Sequence, residues 1–490
     1  MKPAPIAWND LVRQATEYLE RNTRCPKHHV EHTGSLAYLL DFYDHLNELE
    51  KGKAHINHLL SLIVDSSGNK VFYPGHLNPM NMSQNVIDTG AATDAIARFA
   101  HRRRNAFTDS EHVRIRDALR EVAESYLCSA ALEKPLTNQR LWGLTGLASY
   151  ARYAGEEAKY REIAERSIER AFTDMTPDGF FRYYPDAPRY GAFIGYDGIS
   201  AFYQSRCIAF IRYTLDALHI PSAPWDERLR QSEQALLSMY TAKGTKDLRM
   251  ECKRWYWLSK YEVADAGFDA YALAHASVPE AQAALHNVLY QVRQHFFGGF
   301  LHSHAGHNTN FQCPIFWTAH LAWLLRVPHA RETFDAASSL QDFTFRFTGK
   351  EVFTDTSPHK RILVNARFQE RNPTVGIYEN GLPHEFSWMF AIPALPPRLL
   401  FSLRESANHT WYALRGGHVF EALARAFLVW RELLTMLLPR YSVGYGRIEL
   451  LEYVTHNHMS GLKITVRRAT KYGTLLNRGK SRHIVNIDLQ

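Results

Sequence analysis

The sequence predicts an α+β protein, with an N-terminal (α/α)6 toroid over residues 1–341 and a C-terminal, mostly antiparallel β domain over 342–490. Three observations carry the prediction. Apolar residues recur at three- and four-residue spacing through the first two thirds of the chain. Connections in that part alternate between short turns such as "YAGEEA" and "SVPEA" and much longer segments. From residue 342 onward the texture changes to runs rich in β-branched and aromatic residues.

The periodicity places twelve helices at 6–21, 34–49, 83–104, 109–129, 138–155, 157–172, 197–219, 225–242, 260–276, 279–296, 314–327 and 330–341, which pair into six helical hairpins. After the second, sixth and tenth come "DSSGNKVFYPGHLNPMNMSQ", "TPDGFFRYYPDAPRYGAFIGYDG" and "HFFGGFLHSHAGHNTNFQC". Each carries glycine and aromatic residues and lacks the composition of a disordered linker. Loops beyond about 12–15 residues tend to be functional or disordered, so these read as the walls of a cleft on one face of the toroid. In the C-terminal part, "DFTFRFTG", "RILVNARFQE", "PTVGIYENG", "HTWYALRGG", "RIELLEYVTHN", "LKITVRRAT" and "HIVNIDLQ" read as strands. One apolar helix is expected among them at 417–438, and the Pro-rich "LPHEFSWMFAIPALPPRLL" has no assigned element.

Composition narrows the function classes. An apolar share of 46% allows a large core, and 13% aromatics, from 25 Tyr, 27 Phe and 10 Trp, suits sugar-binding clefts as well as core filling. The net charge of +7 over 57 Lys and Arg is a mild basic excess. Its densest run, "HRRRN" at 101–105, reads as a solvated helix end, and a second basic zone lies between Arg467 and Arg482. Basic residues are not interleaved with aromatics along one face, so nucleic acid is not an expected partner; an anionic oligo- or polysaccharide is. The five cysteines are widely spaced with no CxxC, against a disulfide framework or a structural zinc site. No cofactor and no metal is expected. No run of about 20 apolar residues is present, so no membrane span is expected. The first residues read as an amphipathic helix without a signal-peptide core, which places the chain as given in the cytoplasm, or in the periplasm if a signal has been trimmed.

Polar residues cluster where inner helices begin. The third helix starts "MNMSQNVIDTGAATDA": Ser83 is the expected N-cap, Asn85 and Asp88 sit on the first turn toward the cleft, and Asp94 lies deeper. Capping alone is the simpler reading of Ser83 and Asp88. The fifth helix starts "TNQRLWGL" and brings Asn138, Gln139 and Arg140 beside the cleft. An amide with a guanidinium can neutralise a carboxylate. The seventh helix, "GYDGISAFYQSRCIAFIRYTL", opens at Tyr196 and Asp197 and carries Tyr203, Gln204 and Arg206. Tyr203 and Arg206 are three apart, and a tyrosine beside a guanidinium can act as base or acid. Core packing is the alternative for Tyr203. Trp255, Tyr256 and Trp257 offer a stacking platform, or packing. His302, His304 and His307 with Cys313 match no strong zinc pattern; His304 and His307, with Asn310, read as cleft-loop acid, base or substrate donors. Paired carboxylates for glycoside hydrolysis compete with this reading, from Asp88, Asp94, Asp186, Asp197, Glu251 and Asp265, with no recognisable local pair among them.

The order of these motifs resembles the heparinase II/III-like and alginate-lyase-like enzymes. In that group an Asn-His pair opens an inner helix, and an Asp-Gly stretch some 55 residues later leads into the helix with the catalytic tyrosine. Here "TNQRLWGL" and "YDGISAFYQSRCIAFI" occupy those places. The second stretch is also similar to bacterial toroid domains of glucuronic-acid-releasing hydrolases. The resemblance implies β-elimination on a uronic-acid-containing glycan, with Asn138, Gln139 and Arg206 neutralising the carboxylate and Tyr203 or His304 as base. It departs from the family at Gln139, where a histidine would stand, and at Ile208 and Ala209, where a Tyr-His pair would fall. A glucuronidase-like hydrolase and an inactive glycan-binding or scaffold protein are the alternatives.

Overall fold

The computed structural model describes residues 6–24, 31, 33–73, 84–186, 198–247, 250–252, 262–302, 314–350, 352–365, 374–379, 382–389, 445–456, 459–469 and 481–489. The chain is mostly helical with small antiparallel sheets.

The helices follow the apolar spacing, with instructive departures. Helix α1 (Trp8–Arg21) buries Trp8, Leu11, Val12, Ala15 and Leu19 on one stripe. The single helix expected at 34–49 is two, α2 (Thr33–Ala37) and α3 (Leu39–Leu46), ended by Asn47 in the left-handed region. Helix α4 (Leu49–Ser61) was not expected, because it buries only Gly52, Ile56 and Leu59 and its apolar stripe is too thin to read. Helix α5 (Gln84–Arg102) precedes α6 (Asp109–Val122), which opens on a Thr108–Glu111 capping box and passes through a π-turn into α7 (Cys128–Glu133). Then come α8 (Thr137–Ala154), α9 (Glu157–Thr173), α10 (Gln204–Ala217) and α11 (Asp226–Leu237). The last helices are α12 (Ala266–Ala274), α13 (Ala281–His295), α14 (Pro314–His320), which runs into a 3-10 segment Leu321–Arg326, and α15 (Ala330–Ala336).

A recurring device follows α4, α9, α11 and α13. Each leads into a tight antiparallel turn with glycine at positive φ. The first is the hairpin β1 (Ile63–Ser66) and β2 (Asn69–Phe72), closed by Ser67 and Gly68, both left-handed. Two are single bridges, Met175 with Phe181 and Tyr240 with Lys246, turning at Gly179 and Gly244. The last is β3 (Phe296–Phe297) with β4 (Phe300–Leu301), turning at Gly298 and Gly299. The regular loop starts expected from the glycine-aromatic pattern are thus short hairpins.

Helices α2, α5, α8, α10, α12 and the 314–326 segment each pack on the next, and α14 packs on α2. Glycine sets how closely they approach. A Cβ on Gly146 would lie 2.6 Å from the Gly90 carbonyl oxygen, and one on Gly267 would lie 1.9 Å from that of His320. The interior between these helices is filled by Trp142, Phe210, Phe268, Phe316 and Trp323.

Beyond residue 342 six of the expected strands appear, with two more at Val352–Thr356 and Leu382–Met389 that were not expected. β5 (Phe345–Thr348), β6 (Val352–Thr356), β7 (Lys360–Asn365), β8 (Thr374–Glu379) and β9 (Leu382–Met389) form an antiparallel meander. β9 takes up the start of the Pro-rich stretch. β10 (Tyr445–His456), β11 (Met459–Ala469) and β12 (Ser481–Leu489) form a second antiparallel sheet. The helix expected at 417–438 and the strand expected at "HTWYALRGG" lie outside the described residues. Two buried anchors tie the meander to the helices. Asp178 accepts from the backbone N–H of Lys350 (2.6 Å) and Val352 (2.9 Å). Arg361 donates to Asp247 (2.8 Å) and to the carbonyls of Tyr240 and Ser238.

The arginine run at 102–103 is held by Asp44, which accepts from both guanidinium groups. Cys128, Cys207 and Cys252 are free thiols, and Cys25 and Cys313 lie outside the described residues. Among the described residues no helix is long and apolar enough to cross a membrane.

Candidate functional site

The opening turn of α8, a short extended strip and the turn before α10 meet at one place. Arg182 bridges to Ile199, and the Tyr183 N–H donates to the Gly198 carbonyl at 3.0 Å. The Tyr183 carbonyl accepts from the N–H of Thr137, the first residue of α8, at 3.2 Å. On the other side the Tyr183 ring stacks on Tyr203, with centroids 5.5 Å apart and planes at 12°. Both tyrosines are half-buried. Thr137, Asn138 and Gln139 are at most 2% exposed, and their side-chain oxygens have no hydrogen-bond partner. Buried polar atoms are usually satisfied, and an ordered water is the ordinary partner of those to which the protein offers none.

Below this surface lies a desolvated charge network. Arg206 pairs with Asp265 through Nε (2.8 Å to both oxygens) and through its terminal nitrogen (2.6 Å). Its guanidinium carbon is 4.9–5.4 Å from the ring centroids of Trp142, Phe202, Tyr203, Phe268 and Phe316. His320 Nδ1 is 3.4 Å from the same terminal nitrogen. Burial pushes the Asp265 carboxyl up, and Arg206 and Lys246 oppose that rise. Lys246, 2% exposed, pairs with Asp269 at 2.7 Å and donates to Ser205 Oγ at 2.8 Å.

Several expected roles change. Arg206 was expected to face the cleft on the same helical face as Tyr203. Helix α10 opens at Gln204 rather than at 197, so Tyr203 stands at the N-cap while Arg206 points inward onto Asp265. Its guanidinium is therefore not placed to bind a substrate carboxylate. Gln204 was expected to bind substrate; it accepts from the Phe181 N–H and donates to the Gly179 and Ser232 carbonyls, which makes it a loop tie. Arg140 is fully buried on Asp174 (2.8 Å) and the Lys134 carbonyl. Asp88 accepts from the Gly34 N–H at 2.7 Å and fastens α5 to α2. Asn85 is half-buried at the start of α5. Ser83, Tyr196, Asp197, Trp255, Tyr256, Trp257, His304, His307 and Asn310 lie outside the described residues.

The carboxylates considered for hydrolysis are committed elsewhere. Asp94 accepts from Ser149 (2.6 Å) and Arg326 (2.7 Å), far down the helix from Asn85. Glu251 accepts from the Phe202 N–H (2.9 Å) and from Ser200 Oγ (3.3 Å). Asp186 is exposed, 3.6 Å from Arg170. His302 lies between the Phe297 and Phe300 rings with Nε2 on the Phe297 carbonyl, and burial lowers its pKa. Among the described residues no group of three His, Cys, Asp or Glu side chains is arranged to hold a metal ion.

The sequence reading missed Tyr183, Lys246, Asp269 and His320. Tyr183 carried a signal, as part of the aromatic run after Gly179. The others carried none, since each matters through a partner distant in the chain.

Comparison with protein-family models gives no match, and comparison with curated proteins gives none either.

Proposed function

We propose that the helical pairs form an (α/α)6 toroid and that the chain is a carbohydrate-active enzyme, similar to heparinase II/III-like and alginate-lyase-like proteins, that cleaves a uronic-acid-containing glycan by β-elimination. The observation that supports it best is Tyr203. It stands half-buried at an N-cap, stacked on Tyr183, whose carbonyl accepts from the first residue of α8, while the described carboxylate candidates are engaged in ion pairs or backbone contacts. In this reading the Tyr203 phenolate takes the C5 proton of the uronate. The C5–H electron pair becomes the C4=C5 double bond, the C4–O bond breaks, and the tyrosine returns the proton to the leaving oxygen. Asn138 and Gln139, at most 2% exposed, are like Arg206 not placed to meet the substrate carboxylate.

The test is incubation with polyuronates and sulfated uronate polymers, read as absorbance of the unsaturated product at about 235 nm, with Tyr203→Phe as the variant that abolishes it. Reducing ends released without that chromophore overturn the elimination reading. Gln139, where the related enzymes keep a titratable histidine, favours a second reading of glycan binding without turnover. It is distinguished by binding to the same polymers with no product of either kind.

A further inference from the structure

The backbone of one residue beside Tyr203 is gripped from both sides by buried charges. The Phe202 N–H donates to Glu251 at 2.9 Å, and the Phe202 carbonyl accepts from Lys246 Nζ at 3.1 Å. Ser200 Oγ completes the grip, donating to Glu251 and accepting from the Tyr203 N–H, each at 3.3 Å. Lys246 and Glu251 are each 2% exposed. Burying a charge is costly unless it is well bonded; Asp269 offsets that cost for Lys246, and both charged groups still direct a bond to this one turn. Residues 201 and 202 precede α10, whose first capping bond runs from the Cys207 N–H to the Tyr203 carbonyl. Tyr203 is therefore held by the helix on one side and, on the other, by what holds Phe202.

We propose that Lys246 and Glu251 are positioning residues that aim Tyr203, an inference that rests on reading Tyr203 as the reacting group. Lys246 is the second member of the Tyr240–Lys246 bridge, and Glu251 follows it by five positions. The neighbour of Lys246, Asp247, pairs with Arg361 of β7. The β-meander thereby braces the segment that braces the tyrosine, so the strands take part in shaping the site without touching substrate.

The experiment compares the full-length chain with Glu251→Gln, which preserves shape, and with Lys246→Met combined with Asp269→Asn, which avoids leaving Asp269 buried without its cation. Two readouts are taken. Hydrogen exchange at the Phe202 and Tyr203 amides is expected to quicken by about tenfold or more in both variants, with exchange in α8 and α9 unchanged. On the polyuronate that the wild type cleaves, kcat is expected to fall about a hundredfold with KM within about threefold, because misplacing a reacting group by roughly 1 Å costs that much. Unchanged exchange at both amides overturns the grip. Faster exchange with unchanged kcat overturns the positioning role. Tyr203→Phe with wild-type turnover, or a wild type that cleaves no polyuronate, sinks the reading of the reaction instead, and the exchange result then still decides whether Lys246 and Glu251 hold the turn.

Discussion

Replacing Asp265 by Asn removes the counter-charge from a guanidinium that has no water to turn to. The Arg206 side chain is 1% exposed and that of Asp265 is 0% exposed. Three nitrogen–oxygen contacts within 2.8 Å join them. Breaking a buried ion pair from one side costs about 3–5 kcal/mol. Asn keeps one acceptor oxygen, and five ring faces still attract the cation, so the low end, about 3 kcal/mol, is expected. Burial raises the Asp265 carboxyl despite Arg206 and Lys246, which says that desolvation outweighs their attraction. Removing both charges should then be far milder. Arg206→Met with Asp265→Leu is expected within about 2 kcal/mol of wild type. The assay is urea unfolding followed by tryptophan fluorescence, to which Trp142 and Trp323 in the same core contribute, read at the transition of the helical part because the whole chain need not unfold in one step. A single Asp265→Asn variant within about 1 kcal/mol of wild type, or a double variant as damaged as the single, would show that the pair is hydrated and the argument mistaken.

Other outcomes follow from the same physics. Burial pushes His55 down to about 4. The folded chain then binds fewer protons than the unfolded one between that value and the ordinary pKa of about 6.5, so stability is full above about pH 6.5 and falls by about 2–3 kcal/mol as pH drops toward 4. His55→Gln should flatten that part of a stability–pH curve, and an unchanged slope counts against it. Gly267→Ala places a methyl against the His320 carbonyl and should cost about 3 kcal/mol or more, whereas Gly155→Ala, whose Cβ meets nothing within 4 Å, should lose only the smaller left-handed preference of about 1 kcal/mol. Thermal melts of the two rank them, and the reverse order refutes the close-approach argument. Asp178→Ala strips the acceptor from two backbone N–H groups and should cost about 2–4 kcal/mol. Limited proteolysis should then cut first near residue 350 while the helices stay intact; cleavage that begins inside the helices would count against it.

The helical part was legible because periodicity is a local property. α8, α9 and α11 fall within a few residues of their expected spans, and the glycine–aromatic loop starts were visible as a pattern. α4 was not legible, since it covers little core and its sequence lacks a strong stripe. Tyr203 could be picked out as an unusual side chain at a helix start. Arg206 does lie 5.0 Å from the Tyr203 ring, but it turns inward onto Asp265 and not to the cleft, because α10 begins at Gln204.

By itself the sequence determined where most helices and most strands beyond residue 342 form, because side-chain spacing and backbone φ act within a few residues. Only the tertiary structure decided what the polar residues do. Arg206 meets Asp265 across 59 positions, Lys246 reaches Phe202 across 44, and Arg361 reaches Asp247 across 114. A charge removed from water is governed by whichever group the fold brings within about 3 Å, and no local pattern encodes that encounter.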